Sequence, residues 1–447
     1  MARRPALLAG LFAALALGVT AVPATAAPAT TTLTGVLEVR HEDHVDTGRS
    51  AHSYVLRGSD GASTVLEFDD RGPDGLGARK VEVTGTRERP GVMRVGSSSA
   101  VTSSEPAAAV AATTSKRVAV LLYDFLDSDH AARPVDPTFV DQVLFSGTES
   151  TNGFLADSSF SQLTMVGAVF DWVTIPSRST DACAFDSWGS QARGLTPGFD
   201  DAAYDQVIHV MPKSTCSFGG VAYMPGKYSW TVLQTTDVGR WLRGITSHEY
   251  GHSLGIHHAG SYRCTSAGKP VTLGGNCTLA EYGDPFSVMG QAGDERQYTG
   301  YQKGRLGWLT SAGTTTVTAS GSFALGSIST PTTGAQVLRI PRPKVKAAGG
   351  GFYYVELRQS FGLFDDFAVT DPVVTGLTIR LAPDYTINAV SQLLDATPGT
   401  ASFYDAAFTT ALPFKDPATG IEVNLTSLAN GLAQVQVVVP TSGPRTK

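Results

Sequence analysis

His248-Glu249-Tyr250-Gly251-His252-Ser253-Leu254-Gly255-Ile256-His257-His258 is the stretch that decides how this chain is read. It spells H-E-x-x-H-x-x-G-x-x-H, and each fixed position has a chemical reason. Residues four apart on a helix project from one face, so His248 and His252 can reach the same ion. Imidazole nitrogen is a preferred zinc donor, at about 2.0–2.1 Å. Glu249 stands beside the first ligand, where it can meet a water held by the metal. Gly255 takes a positive φ without a Cβ clash, so the helix can end there and the chain bend back. That bend carries His258 to a third coordination position. Three protein ligands leave a fourth place for water, the mark of a catalytic rather than a structural zinc site. His257 competes for the third position, but its spacing is one residue short. It reads as a solvated residue or as a neighbour supporting a ligand. With 9 His in 447 residues, a chance match to the whole motif is on the order of 10⁻⁵.

Downstream lies Tyr282-Gly283-Asp284-Pro285-Phe286-Ser287-Val288-Met289-Gly290. Gly-Asp-Pro followed by Met-Gly suits a tight turn on local chemistry alone. On its own, Met289 could equally be a core methionine in an ordinary loop. After a complete zinc motif, the stretch resembles the Met-turn that metzincin peptidases place beneath their zinc ligands.

Arg3 and Arg4 precede an apolar run from Leu7 to Val22, and Ala24-Thr25-Ala26 follows as a small-residue cleavage site. This reads as a secretory signal peptide over 1–26, cut after Ala26. The Arg pair fits twin-arginine export poorly. No later stretch has the roughly 18 uninterrupted apolar residues of a membrane helix, and 440–447 is a polar tail, so no membrane anchor is expected. A net charge of −6 and a pI near 5.8 give no basic field for nucleic acid. Four cysteines, Cys183, Cys216, Cys264 and Cys277, imply disulfides in an exported protein. Of three pairings, Cys183–Cys216 and Cys264–Cys277 join sequence neighbours and are preferred. Thiolate zinc ligation is the weaker alternative.

Hydrophobic patterning divides the remainder. Alternating, β-branched runs at Thr34–Arg40, His52–Leu56, Ser63–Phe68, Lys80–Gly85 and Val92–Val95 predict five short strands. They suit a small OB-like β-barrel over 27–96. Residues 97–115 are Ser/Ala/Thr-rich and predict a flexible linker, so 27–96 has the placement of a propeptide. Within it, Arg40-His41-Glu42-Asp43-His44 contains groups able to bind zinc, although a solvated charged face is the plainer reading. Residues 116–310 hold the zinc motif among alternating strands and helices, which predicts an α+β catalytic domain. Asp237 is placed to cap the helix that runs through Trp241, Leu242 and Ile245 into the motif. Residues 311–447 return to short strands and predict a β-sandwich.

Together the motif, the turn and Tyr301-Gln302-Lys303-Gly304-Arg305-Leu306-Gly307-Trp308-Leu309 resemble the gametolysin family of metzincin peptidases. Residues 353–359 and 393–399 are similar to stretches after the catalytic domain in gametolysin-like and immune-inhibitor-like secreted peptidases. The resemblance covers roughly 116–439. It implies an endopeptidase acting on extracellular proteins, from a family whose members tend to carry calcium as well as zinc; separately, a secreted monomer is expected. Asp365, Asp366 and Asp395 are the carboxylates available for calcium, against the plainer role of turn caps. Two departures matter. No cysteine precedes Cys183, so no propeptide cysteine can silence the zinc. Gln291 stands where some metzincins carry a tyrosine two residues after the turn methionine, and Tyr298 and Tyr301 come later, with packing an equal role for them.

The expected chemistry is hydrolysis by a zinc-activated water, with Glu249 as general base, the zinc stabilising the oxyanion and Met289 supporting the site from below. The alternatives are a non-catalytic secreted adhesin with a vestigial zinc domain, against which the intact Glu249 argues, and a zinc hydrolase of non-peptide bonds.

Overall fold

The computed structural model describes residues 30–73, 75–104, 114–234, 236–344 and 350–440. The expected signal peptide, residues 105–113 of the expected linker and the tail at 441–447 lie outside them. The chain is mixed α+β, mostly sheet with few helices.

The N-terminal strands are β1 (Thr30–His44), β2 (Arg49–Arg57), β3 (Ser63–Phe68), β4 (Lys80–Arg89), β5 (Val92–Val95) and β6 (Val101–Thr102). Strict alternation buries one face: Leu37 and Val39 on β1, Leu56, Leu66, Val83, Met93 and Val95 share one apolar cluster. Pairing runs β1–β2–β3–β5–β4 and returns from β4 to β1. The expected linker does not begin at Ser97. Ser98 donates its backbone N–H to Asp70 at 2.9 Å, and Val101 pairs with Val83, so 97–104 is tied to this unit.

The central strands are β7 (Thr114–Phe125), β8 (Leu163–Ile175), β9 (Gln206–Met211), β10 (Gly220–Tyr223) and β11 (Tyr228–Val232). The helices are α1 (Pro137–Asp141), α2 (Thr151–Ser158), α3 (Phe185–Leu195) and α4 (Val238–Ser253). Residues 118–125 of β7 are buried without interruption, as in a parallel strand covered on both faces. β7 lies parallel to both β8 and β9. On one face Val118, Val120, Ile208 and Val210 meet Leu242 and Tyr250 of α4 and Met289. On the other, Tyr123 and Phe125 meet Trp188 of α3 and Trp230, beside the Cys183–Cys216 disulfide. The strand order β6-β4-β5-β3-β2-β1-β10-β11-β9-β7-β8 makes one eleven-stranded sheet, joined across β1 and β10.

Two further sheets follow. Their strands are β12 (Ala259–Ser266), β13 (Lys269–Val271), β14 (Asn276–Ala280), β15 (Thr314–Thr316), β16 (Gly321–Gly326), β17 (Val337–Arg342), β18 (Gly351–Glu356), β19 (Thr378–Ala382), β20 (Ser391–Leu393), β21 (Phe414–Lys415), β22 (Glu422–Ala429) and β23 (Leu432–Val438). Helices α5 (Gly300–Arg305) and α6 (Pro372–Thr375) sit in the connections. Eight strands, β12–β15 and β17–β20, form one sheet, and β16, β23, β22 and β21 form the other. Leu338, Tyr353 and Ile379 of the first share a buried cluster with Leu325, Val423 and Val435 of the second. The strands β12–β14, which immediately follow the zinc motif, belong to this C-terminal packing: β12 runs parallel to β20. The Cys264–Cys277 disulfide joins β12 to β14. Both expected cysteine pairings are present, which points to an oxidising compartment. No described helix is long and apolar enough to cross a membrane.

Candidate metal centre

α4 carries the motif. Asp237 precedes it as expected, but in a left-handed backbone conformation at φ 46°, and its side chain makes no capping bond. The helix is held instead by its apolar face: Leu242 and Ile245 are buried, and Trp241 Nε1 donates to the Val232 carbonyl at 2.8 Å. At the other end Gly255 adopts φ 90°, and the chain turns back into β12 as its spacing predicts. Gly251 and Gly220 are required by close approach. A Cβ at Gly251 would strike the Met289 sulfur, and one at Gly220 would strike the Glu249 carboxylate.

The turn brings three imidazoles together. His252 Nε2 lies 3.1 Å from His248 Nε2 and 3.2 Å from His258 Nε2, and all three rings are buried. Each opposite nitrogen has a fixed partner. His248 Nδ1 donates to the Val288 carbonyl at 2.7 Å, and His252 Nδ1 to the Ile256 carbonyl at 2.9 Å. His258 Nδ1 donates to Glu281 Oε1 at 3.0 Å. Carbonyls and carboxylates only accept, so each Nδ1 carries a proton and each Nε2 is the nitrogen turned to the centre. Three ring nitrogens this close, with the Asp43 carboxylate beside them, form the kind of donor set that surrounds one cation. A tetrahedral zinc with bonds of about 2.0–2.1 Å spaces its nitrogens by about 3.3 Å, close to the separations here. The residues fit the ion.

Glu249 is wholly buried, and neither carboxylate oxygen has a hydrogen-bond partner. Its oxygens, those of Asp43 and a nitrogen of His248 cluster within reach of one ion. Burial, seconded by the Asp43 charge, pushes the Glu249 carboxyl well above the ordinary carboxylate range. A nearby divalent cation would pull it back.

His257 is not solvated. It is buried, and its Nδ1 accepts the His258 backbone N–H at 2.8 Å. Its Nε2 faces the Arg71 guanidinium at 3.2 Å. The charged cluster at 40–44 is not a solvated face either. His41 and Asp43 are fully buried, because alternation on β1 turns them to the same side as Leu37 and Val39. Asp43 Oδ1 lies 2.8 Å from His258 Nε2, and Oδ2 lies 3.2 Å from His252 Nε2 and 3.5 Å from His248 Nε2. Burial alone would raise the Asp43 carboxyl, but the surrounding imidazoles, His41 first, hold it well below the usual range.

The stretch 282–290 runs under α4. Met289 is buried, its N–H bonded to Ser287 Oγ at 3.2 Å, and its carbonyl accepts the Ala259 N–H at 3.0 Å. Asp284 is locked by Arg380 of β19 at 2.6 Å, and Arg380 also holds Glu356 at 2.6 Å, so the C-terminal sheet clamps the turn. Tyr298 and Tyr301 face away: their hydroxyls donate to the Ser247 and Ile387 carbonyls. The tyrosine at the centre is Tyr282, whose ring centroid lies 4.2 Å from that of His258 and whose hydroxyl donates to Asp43 Oδ1 at 2.5 Å. Gln291 instead accepts from the Tyr404 hydroxyl. Asp365 is held by Arg358 at 3.0 Å, Asp366 pairs with Arg296, and Asp395 accepts the Thr397 N–H at 2.8 Å, so all three expected calcium carboxylates are engaged by protein donors. A cavity of about 510 Å³ opens beside His248, lined among others by Val45, Trp241, Ile245, Tyr282 and Gln291.

Glu281, Tyr282 and Asp43 are the residues that the sequence reading left without a role at the metal. Only Asp43 had a signal, its place in a run of zinc-capable side chains.

No curated protein matches the chain. Among solved structures, a chain from one titled "Structure of a chaperone-substrate complex" is 14% identical, aligned over 51% of this chain and 32% of that one, with a TM-score of 0.22. A likeness that weak carries no argument. Residues 190–358 match the family model described as gametolysin peptidase M11. The matched span contains α4, the three converging histidines and the turn beneath them, and it supports a gametolysin-like metallopeptidase family for this chain.

Proposed function

We propose that the chain is a secreted, metzincin-type zinc endopeptidase of extracellular proteins, working as a monomer and made with an N-terminal OB-like unit that keeps it latent. The observation that carries the reading is the convergence of three histidine Nε2 atoms beside a buried, unpartnered Glu249 carboxylate. His248, His252 and His258 would hold the ion. Zinc, when bound, lowers the pKa of a water to about 7 and polarises a carbonyl.

The chain's own residues do the rest. Once β1 is removed, an extended peptide pairs with the freed edge of β10, whose backbone runs beside Glu249 because Gly220 lacks a Cβ. A substrate side chain enters the cavity lined by Trp241 and Ile245. Glu249 takes a proton from the attacking water as its oxygen bonds the scissile carbon. It then gives that proton to the amine nitrogen as the C–N bond breaks. The Tyr282 hydroxyl is placed to donate to the carbonyl oxygen as it becomes anionic. Met289 packs under Gly251 and fixes the helix that presents the ligands. Two disulfides suit an oxidising, extracellular setting.

The test is digestion of casein by the processed chain, with and without 1,10-phenanthroline. Cleavage should stop with the chelator and return with added zinc. Cleavage unaffected by the chelator would remove the metal from the mechanism.

A further inference from the structure

We propose that β1 is a tethered mock substrate and that Asp43 occupies the fourth metal position, so the intact chain is held latent by an aspartate. This rests on the zinc peptidase reading and names how that site is regulated.

Four observations carry it. The first is position. The Asp43 carboxylate touches the Nε2 atoms of all three histidines, at 2.8, 3.2 and 3.5 Å. Carboxylate oxygen is a natural zinc donor, and these separations are those between ligands sharing one ion.

The second is an unmet polar atom. Asp43 Oδ1 accepts from Tyr282, but Oδ2 is buried with no hydrogen-bond partner. A buried anionic oxygen without a donor is costly to keep. A cation at the centre of the imidazoles satisfies it.

The third is the backbone. β1 adds antiparallel to the edge of β10, with Arg40 opposite Tyr223, His41 opposite Ala222, Glu42 opposite Val221 and Asp43 opposite Gly220. Gly219 N–H donates to the Asp43 carbonyl and Met224 N–H to the Val39 carbonyl, each at 2.8 Å. This is strand addition, in which main-chain bonds hold a peptide along a free edge. It uses the same edge that a substrate needs. Period-two alternation then turns His41 and Asp43 together toward the metal, and Val45 reaches the cavity beside His248.

The fourth is what fastens the strand. Arg40 pairs with Asp186 at 2.8 Å, and Ser50 donates to Glu281 at 2.7 Å. With no cysteine before Cys183, Asp43 supplies the blocking ligand. His41 also crowds the centre, its Nε2 3.1 Å from His258 Nε2 and its ring centroid 4.1 Å from that of His252, whereas the Asp43 carboxylate reaches the Nε2 atoms of all three histidines.

The test uses the full chain, stripped of metal and reloaded with Co²⁺, whose visible absorption reports the ligands around it. Acetohydroxamate, a small metal-binding probe, is titrated against wild type, Asp43→Asn, Asp43→Ala and His41→Gln. Wild type should bind one Co²⁺ and resist the probe. Asp43→Ala should change the spectrum and take the probe at least about tenfold more tightly, because a tethered competitor is gone. His41→Gln should stay within about threefold of wild type on the same argument. Asp43→Asn, isosteric and uncharged, covers the case in which Asp43→Ala does not fold, and should shift in the same direction. Equal spectra and equal probe binding in wild type and both Asp43 variants would overturn the proposal. Wild type that binds no Co²⁺ would overturn it together with the zinc reading. Asp43 variants that open to the probe, beside a processed Co²⁺-loaded chain freed of β1 that cleaves no peptide, would support the latch and sink the peptidase reading alone.

Discussion

Glu281 offers the sharpest test of how the site is built. His248 and His252 anchor their Nδ1 atoms on main-chain carbonyls, which mutation cannot remove. His258 alone depends on a side chain, with its Nδ1 3.0 Å from Glu281 Oε1. That carboxylate fixes the tautomer and makes the opposite nitrogen a better donor. Glu281→Ala should therefore weaken zinc binding by about 10–100-fold, the usual effect of losing a partner behind a metal-ligating histidine. In free energy that is about 1.4–2.7 kcal/mol. Glu281→Gln keeps an acceptor oxygen and should fall between. Ser50→Ala removes the other group bonded to Glu281 without touching His258, and should leave zinc affinity unchanged. The assay is competition for zinc between the stripped protein and a fluorescent chelator. An affinity of Glu281→Ala within about threefold of wild type, or about 0.65 kcal/mol, would refute the role given to Glu281.

Other outcomes follow from the packing. Arg380 is buried between Asp284 and Glu356. Arg380→Met leaves two buried carboxylates short of a partner and should cost about 3–5 kcal/mol, read by urea unfolding; a loss below about 1 kcal/mol would contradict it. The Cys264–Cys277 disulfide spans 13 residues, so Cys264→Ser with Cys277→Ser should cost about 3 kcal/mol in the chain-entropy model, and an unchanged melting temperature would count against it. Burial, with Arg358 nearby, lowers the Lys303 ammonium to about 7, whereas a free lysine titrates near 10.4. Between pH 7 and 10 the unfolded chain binds a proton that the folded chain does not, so this group's contribution to stability rises with pH across that window and is lost below it. Lys303→Met should flatten that rise in urea midpoints at pH 7 and 9.5; identical pH dependence in both proteins would refute it.

The convergence of the three histidines was legible because they, a glutamate and a glycine lie at fixed spacing within one helix and its turn. The strands of the N-terminal unit were legible from alternation, and both disulfides from sequence proximity. What escaped was non-local. Nothing in 40–44 distinguishes a polar face turned to water from one turned into a cluster of buried imidazoles, and only the pairing of β1 with β10 decides it. Glu281 and Tyr282 reach His258 because β14 is paired with β12, a contact no local pattern announces. That pairing also draws β12–β14 into the C-terminal sheet. α3, whose sequence is FDSWGSQARGL, carries two glycines and polar residues that mask its helical face, while β10 is a short run beginning at Gly220. Asp237 looked like a helix cap, yet its left-handed backbone turns the side chain from the helix N–H groups.

The central claim is that Glu249 moves the proton at a zinc held by His248, His252 and His258. It is tested most directly by measuring zinc content and peptide turnover together, in the processed wild type and in Glu249→Ala. The account predicts about one zinc per chain in both, with turnover lower by roughly 10²–10⁴-fold in the variant, the usual loss of a general base. Turnover within a few-fold of wild type at full zinc occupancy would contradict it.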